Sequence, residues 1–391
     1  MRYASVTKRL AGLGGAKWDL HARAREMSAE GFDVIELTIG EPDCAPPPEL
    51  VEDVCQALRN GRSRYSTGAG EPGLRAALAR RYTQRAGRRI GEEQVLCFPG
   101  TQTALHAVMC AVAETGTEVL VGDPMYTTYE GVIAATGARM IPVPLRPVNG
   151  FLLDAREVGA RITPRSRAIL LNTPHNPTGM VLDRRSLEEI ATLAIRHDLW
   201  IICDEVYEEL IFSGRFCSPL ELVPIMERTV VVSSISKSHA APGLRSGWCI
   251  GPAEFCARLL PLSETMLFGN QPFIADATRA AISAPSPVAR PMAERFAARA
   301  AHLVRRLHAE TPYHVQMPQA GMFALVDIGA SGMNGADYAA DLLETALVAV
   351  MPGAAFGRTL DRWVRVALSV DDARLDLAID RIAAHAGSGS D

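Results

Sequence analysis

From about residue 95 onward, short apolar runs alternate with stretches of helical periodicity, and this rhythm restricts the fold more than any other feature. "VLCF" leads to a helix expected from Thr101 to Glu114, and "EVLVGD" to one expected from Tyr126. "RMIPVP", "AILLNTP", a helix from Arg184 to His197, "WIICDEVY", "VVVSSI" and "GWCIG" follow. Strands separated by helices pair in parallel, because a parallel return needs a long crossover. The expectation is an α/β fold with a mostly parallel sheet, and such sheets take ligands at the carboxyl ends of their strands.

With 391 residues the chain exceeds the roughly 250–300 over which one core keeps growing, which predicts two units. Beyond about residue 290 the pattern changes. "PMAERFAARAAHLVRRLHAE" reads as a long amphipathic helix, expected to be a solvated connector rather than a membrane or partner surface. "YHVQMP", "GMFALVDI", a helix from Asn334 to Thr345 and "RWVRVALSV" then describe a smaller α+β domain. The expected boundaries are 1–45 for an N-terminal arm and part of the small domain, 46–288 for the large domain and 289–391 for the small C-terminal domain. The closing "GSGSD" is expected to be disordered.

Composition narrows the function. The net charge of −4, from 40 basic and 44 acidic residues, offers neither a basic field for nucleic acid nor a single-sign face for a membrane. "MRYASVTKRLAGLGG" lacks the apolar run of a signal peptide, and no stretch approaches the ~18 apolar residues of a membrane span. The eight cysteines form no C-x-x-C pair, so reduced core thiols are expected and a metal site is not. The setting read from these features is soluble and cytoplasmic.

One motif is set aside. "GAGEPG", Gly68 to Gly73, matches G-x-G-x-x-G, but no apolar strand precedes it, so it reads as a loop. In "CFPGTQTAL", Gly100, Thr101 and Gln102 open a helix after a strand. Exposed amides and the positive end of the helix dipole make a phosphate seat there, although any βα turn needs such a break. Asn176 in "NTPHNPTG" either reaches a ligand at the sheet edge or closes an Asx turn. Asp204 ends the strand of "LWIICDEVY", where a carboxylate must be paired; a protonated ring nitrogen or a helix start would serve, and Tyr207 can reach the same ligand.

"SSISKSHAAPGLRSGW" carries the most chemistry. The chain has three lysines, Lys8, Lys17 and Lys237, among its 40 basic residues, so a surface-charge role for Lys237 is the weaker reading. An amine near Ser234, Ser236 and Arg245 can condense with an aldehyde whose phosphate the hydroxyls and guanidinium hold. Arginine cannot take that place, because it does not deprotonate to a nucleophilic amine. A phosphate seat, ring contacts and a Schiff-base lysine together describe pyridoxal 5'-phosphate.

From "IELTIGEPD" through "YSTGAGEPGLRAAL", "PGTQTAL", "NTPHNPTG", "CDEVY" and "SISKSHAAPGLRSGW" to "GMFALVDI", "PGAAFG" and "WVRVALSV", the chain resembles fold type I aminotransferases of class I/II, the aspartate aminotransferase family. "AKWDLHARA", "PMYTTYE", "HDLWIICDEVYEELIF" and "SISKSHA" look most like the arginine:pyruvate branch. The resemblance implies a mostly parallel seven-stranded sheet sandwiched by helices, with a smaller α+β domain. It also implies ping-pong transfer of an amino group from an L-amino acid to a 2-oxo acid.

Carried over by position, Lys237 would bond the cofactor and shuttle a proton, and Asp204 would keep the pyridine nitrogen protonated. Asn176 and Tyr207 would bond the ring oxygen; Thr101, Gln102, Ser234 and Arg245 would hold the phosphate, with Tyr65 reaching in from the partner of a homodimer. Tyr126 would stack on the ring where the family commonly has tryptophan, and Arg365 would grip the α-carboxylate beside Gly40. Trp18 and His21 either line the pocket entrance or serve packing and capping. Ser246 departs from the family, standing where an apolar residue is usual. A β-lyase, racemase or synthase of the same fold is the alternative reading; a cofactor-sensing regulator is weaker, since about 35 residues before "IELTIGEPD" are too few for a DNA-binding domain.

Overall fold

The computed structural model describes residues 1–13 and 18–388. Lys17 and the last three residues of "GSGSD" lie outside the described residues. In chain order the strands are β1 (Ile35–Leu37), β2 (Val95–Phe98), β3 (Glu118–Asp123), β4 (Arg139–Pro144), β5 (Ser166–Asn172), β6 (Trp200–Asp204), β7 (Thr229–Ser234), β8 (Gly247–Ile250), β9 (His314–Gln316), β10 (Phe323–Asp327), β11 (Val348–Pro352) and β12 (Trp363–Ala367).

Seven of them form one sheet in the order β2-β8-β7-β6-β5-β3-β4. β8 runs antiparallel to both its neighbours, and the other pairs are parallel. Strands β3, β7 and β8 are buried along their whole length, which is why the sequence shows unbroken apolar runs rather than alternation. Alternate side chains still part to opposite faces. Ile202, Val230 and Val232 pack with Ala104, Leu105 and Val108 of the helix Thr101–Val112. Ile201, Cys203 and Val231 pack with Leu187, Ile190 and Ala194 of the helix Arg184–Arg196.

The second sheet has the order β1-β11-β12-β10-β9. β1 joins it in parallel to β11, so the N-terminal segment is built into the C-terminal layer. The helix Ala289–Glu310 buries Met292, Phe296, Ala300, Leu303 and Leu307 in the same core as Val326 and Val350. This corrects the expected solvated connector: its apolar stripe is seated on the sheet, and only its charged face meets water.

Two further expectations shift. The helix expected from Tyr126 begins at Tyr129, because Met125 donates its N–H to Phe356 O (2.8 Å) and holds the preceding residues in a turn. Gly387 and Ser388 belong to the terminal helix Asp372–Ser388 rather than to a disordered tail. One glycine costs a helix about 1 kcal/mol, too little to end one whose Leu375, Ile379 and Ile382 are buried in the core.

Candidate active site

Parallel strands end together, and here their ends carry polar groups. Asn172 closes β5 directly opposite Asp204, which closes β6, and Ser234 closes β7 on the other side. A single helical turn, Ile235–Ser238, follows β7 with Ser234 as its cap, and this places Lys237 over the strand ends.

Trp18, Gly40, Thr101, Gln102, Tyr126, Asn176, Asp204, Tyr207, Ser234, Lys237, Arg245 and Arg365 all line one cavity of about 300 Å³. Two of the predicted residues do not line it. Gly100 precedes the helix Thr101–Val112 with φ +87, and Tyr65 is 91 % exposed, with its ring 5.8 Å from that of Phe268. His21 turns aside, with Nδ1 2.9 Å from Thr38 Oγ1.

Lys237 Nζ donates to Gly40 O at 2.7 Å. Burial pulls its pKa down to about 8; Glu41 opposes that shift, while Arg365 and Arg245 add to it. A far larger share of this amine is therefore unprotonated near neutral pH than for an ordinary lysine, as a nucleophile requires. Burial drives the Asp204 carboxyl up to about 6, against the Val206 N–H (3.1 Å), the Tyr129 hydroxyl (2.9 Å) and the charge of Lys237. The Asp204 backbone carbonyl also accepts from Asn172 Nδ2 at 3.0 Å.

At the substrate end, Arg365 Nη1 donates to Asn176 Oδ1 (3.0 Å) and Nη2 to Thr38 O (2.6 Å). Its guanidinium lies 4.6 Å from the Phe356 ring and 5.3 Å from the Phe323 ring. Burial lowers its pKa to about 10, against the nearby Tyr207 and Tyr126 hydroxyls, and its Nε has no hydrogen-bond partner among the described residues. A buried cation held only by neutral groups is prepared for an anion. Asn176 Nδ2 also reaches the Tyr207 hydroxyl at 3.4 Å.

The turn expected to seat a phosphate is formed by close backbone approach. A Cβ on Gly247 would sit 2.5 Å from the Gly100 carbonyl carbon and 2.7 Å from Thr101 N, and one on Gly100 would meet the Arg245 guanidinium. Thr101 Oγ1 is buried without a partner at the head of its helix. Ser246, the departure from the family pattern, is fully buried and accepts from Thr278 Oγ1 (2.8 Å) and Asn270 Nδ2 (3.4 Å). It fastens the helix Pro272–Ala281 beneath the turn carrying Arg245, which an apolar side chain would not do.

Sequence reasoning missed Tyr129, Asn172 and Glu41, which also line the cavity. Asn172 stands four residues before Asn176 and accepts its N–H at 2.8 Å, a spacing visible in "NTPHN". Tyr129 carries no local signal, since "YTTYE" reads as an ordinary helix start.

A sheet whose strand ends place a lysine, an aspartate and a glycine-lined helix start around one cavity, with a buried arginine also lining it, is the arrangement expected of a pyridoxal phosphate enzyme of the transaminase type. The chain belongs to the aminotransferase class I and II family, whose model matches residues 33–382. It is 41 % identical to the arginine–pyruvate transaminase AruH of Pseudomonas aeruginosa over 98 % of both chains. It is 32 % identical to the aspartate/prephenate aminotransferase of Thermus thermophilus, covering 93 % of this chain and 94 % of that one. The solved aspartate aminotransferase from Thermus thermophilus with maleate superposes with a TM-score of 0.92 at 29 % identity, covering 98 % of this chain and all of that one.

The protein is thus a pyridoxal phosphate-dependent aminotransferase. Its residues fit the cofactor: the orphaned Thr101 hydroxyl and the glycine-lined seat suit a phosphate, and the depressed lysine suits an aldehyde.

Proposed function

We propose that the amino donor is a cationic L-amino acid, arginine foremost, and that the acceptor is pyruvate or a similarly small 2-oxo acid. The observation that carries this reading is the 41 % identity to an arginine–pyruvate transaminase, against 32 % to the aspartate/prephenate enzyme.

When bound, pyridoxal phosphate supplies an electron sink for charge leaving the donor's α-carbon. Thr101, Gln102, Ser234 and Arg245 hold its phosphate, Tyr126 packs against its ring, and Asn176 and Tyr207 bond its ring oxygen. Asp204 pairs with the ring nitrogen, which gives a buried carboxylate a directly bonded cation beside its neutral hydrogen-bond donors. Arg365 fixes the donor's α-carboxylate, with the Gly40 backbone and Trp18 bounding the same space. Lys237 anchors the cofactor between turnovers and otherwise moves a proton off the donor's α-carbon. Its depressed pKa suits it to act as a base near neutral pH. Donor and acceptor then use one set of contacts in turn.

The same reading takes 46–288 as the large domain, with 1–45 and 289–391 forming the small one; the pairing of β1 with β11 supports that division. A homodimer is included, with the exposed Tyr65 serving the partner's phosphate. A cytoplasmic location accords with eight free cysteines. Among the described residues no helix is long and apolar enough to cross a membrane.

The test is to mix the holoenzyme with single amino acids and follow the visible absorbance of the bound cofactor. Arginine should convert the aldehyde form to the amine form, and pyruvate should restore it. Conversion by aspartate but not by arginine would remove the arginine reading.

A further inference from the structure

Arg245 and Ser234, both given to the phosphate in the proposed reaction, are joined through one buried residue that does not itself line the cavity. Arg245 has φ +51, a left-handed conformation that is costly for a residue with a side chain and persists only where its surroundings hold it. The next residue, Ser246, is fully buried, and its backbone O accepts the N–H of Ile235 at 3.2 Å. Ile235 follows Ser234 and opens the turn that carries Lys237. Gly247 then pairs directly with Ser234 across β7 and β8.

The Ser246 side chain fixes this junction to the rest of the fold. Its Oγ accepts from Thr278 Oγ1 (2.8 Å) and Asn270 Nδ2 (3.4 Å), and both donors are buried. Thr278 belongs to the helix Pro272–Ala281, whose Ala275 and Ala277 share a core with Leu50 and Leu74. Asn270 follows Gly269, which packs so tightly that a Cβ there would fall 2.5 Å from Thr67 O. These anchors are therefore set by parts of the fold away from the cavity. Successive residues of an extended chain face opposite ways, so Ser246 meets the helix while Gly247 meets Gly100 and Thr101. Without an acceptor at Ser246, two buried donors would be left unpaired, and the strained residue beside it would lose its support.

We infer that Ser246 is a positioning residue for the cofactor's phosphate: its hydrogen bonds to Thr278 and Asn270 hold Arg245 in its left-handed conformation and keep Ser234 beside it. This rests on Arg245 and Ser234 binding the phosphate, as proposed above.

The experiment titrates the full-length protein, freed of cofactor, with pyridoxal phosphate and with pyridoxal, which lacks only the phosphate. The quantity read is the ratio of the two dissociation constants, followed by absorbance. Ser246→Ala should lower the preference for the phosphorylated form about 10-fold, the effect of weakened charge-assisted bonds, and leave the affinity for pyridoxal unchanged. Thr278→Val keeps the shape of its side chain, removes one of the two donors and should lower the preference in the same direction. Circular dichroism establishes that each variant is folded, and where Ser246→Ala is not, Thr278→Val decides.

An unchanged preference in these variants, or pyridoxal and pyridoxal phosphate weakening together, would confine Ser246 to packing and overturn the assignment while leaving Arg245 on the phosphate. Arg245→Gln tests the premise by itself: if it leaves the preference at the wild-type value, the phosphate role of Arg245 falls, and the inference falls with it.

Discussion

Asp204 is 6 % exposed and is held within the chain by neutral donors, Tyr129 and the Val206 amide. With its folded pKa raised by burial to about 6, the cofactor-free protein binds a proton there more tightly than the unfolded chain does. Stability from this group is therefore fully present below the ordinary value of 3.8 and is lost as pH rises through about 6. Tyr129→Phe removes a donor that lowers this pKa, so the loss should extend to higher pH; melting curves of cofactor-free protein between roughly pH 4 and 8 would reveal it. In the holoenzyme the same change should lower kcat about 10-fold through looser positioning of the carboxylate. Superimposable melting profiles for variant and wild type would show that Tyr129 does not set the state of Asp204. The sequence exposed Asp204 because a charge ending an apolar run is conspicuous. Tyr129 stayed hidden because only the sheet brings a phenol 75 residues away to that carboxylate.

The turn between β2 and the helix Thr101–Val112 shows what a single element contributes. Gly100 has φ +87, and a Cβ there would fall 2.1 Å from Arg245 Nη2, the far end of a flexible side chain. In Gly100→Ala the arginine gives way but the positive φ strains the new side chain by about 1–3 kcal/mol, so the variant should lose stability and its affinity for pyridoxal phosphate should fall at least about 10-fold, as lost charge-assisted bonds imply. Gly247→Ala drives its Cβ into the backbone of Gly100 and Thr101, which cannot step aside. That variant should lose about 2 kcal/mol of stability or more, by overpacking. Absorbance titration and thermal melting read the two effects; a Gly100→Ala protein that binds pyridoxal phosphate as tightly as the wild type would refute the part given to this turn. Strands such as "VLCF" and "EVLVGD" were readable residue for residue because burial on both faces leaves an unbroken apolar run. The helix after β3 was not, since its start depends on a hydrogen bond to Phe356, far along the chain.

The linkage between the two sheets runs through the segment that follows β1, and charge ties hold it. Arg299, on the long helix Ala289–Glu310, is 7 % exposed and bonds Asp43 Oδ2 (2.5 Å), Asp372 Oδ1 (2.6 Å) and Leu368 O (2.9 Å). It clamps the stretch containing Thr38, Gly40 and Glu41 against the C-terminal layer without lining the cavity itself. None of this was visible locally, because Arg299 reads as one of many charges on an amphipathic helix. Burial raises the Asp43 pKa, but Arg295 and Arg299 outweigh it and hold the carboxyl below its ordinary value. Asp43 thus contributes stability above pH ~4 that is lost as the acid is protonated. Arg299→Met leaves Asp43 with one partner and Leu368 O with none, and should cost about 3 kcal/mol, the usual penalty for breaking a buried pair from one side. Because Thr38 O and Gly40 O belong to the released stretch, KM for the amino donor should rise more than kcat falls, while affinity for the cofactor's phosphate is kept. Thermal melting, donor kinetics and cofactor titration on one preparation check the three parts. A variant whose KM stays at the wild-type value despite the loss of stability would confine Arg299 to folding and leave the substrate end independent of the clamp.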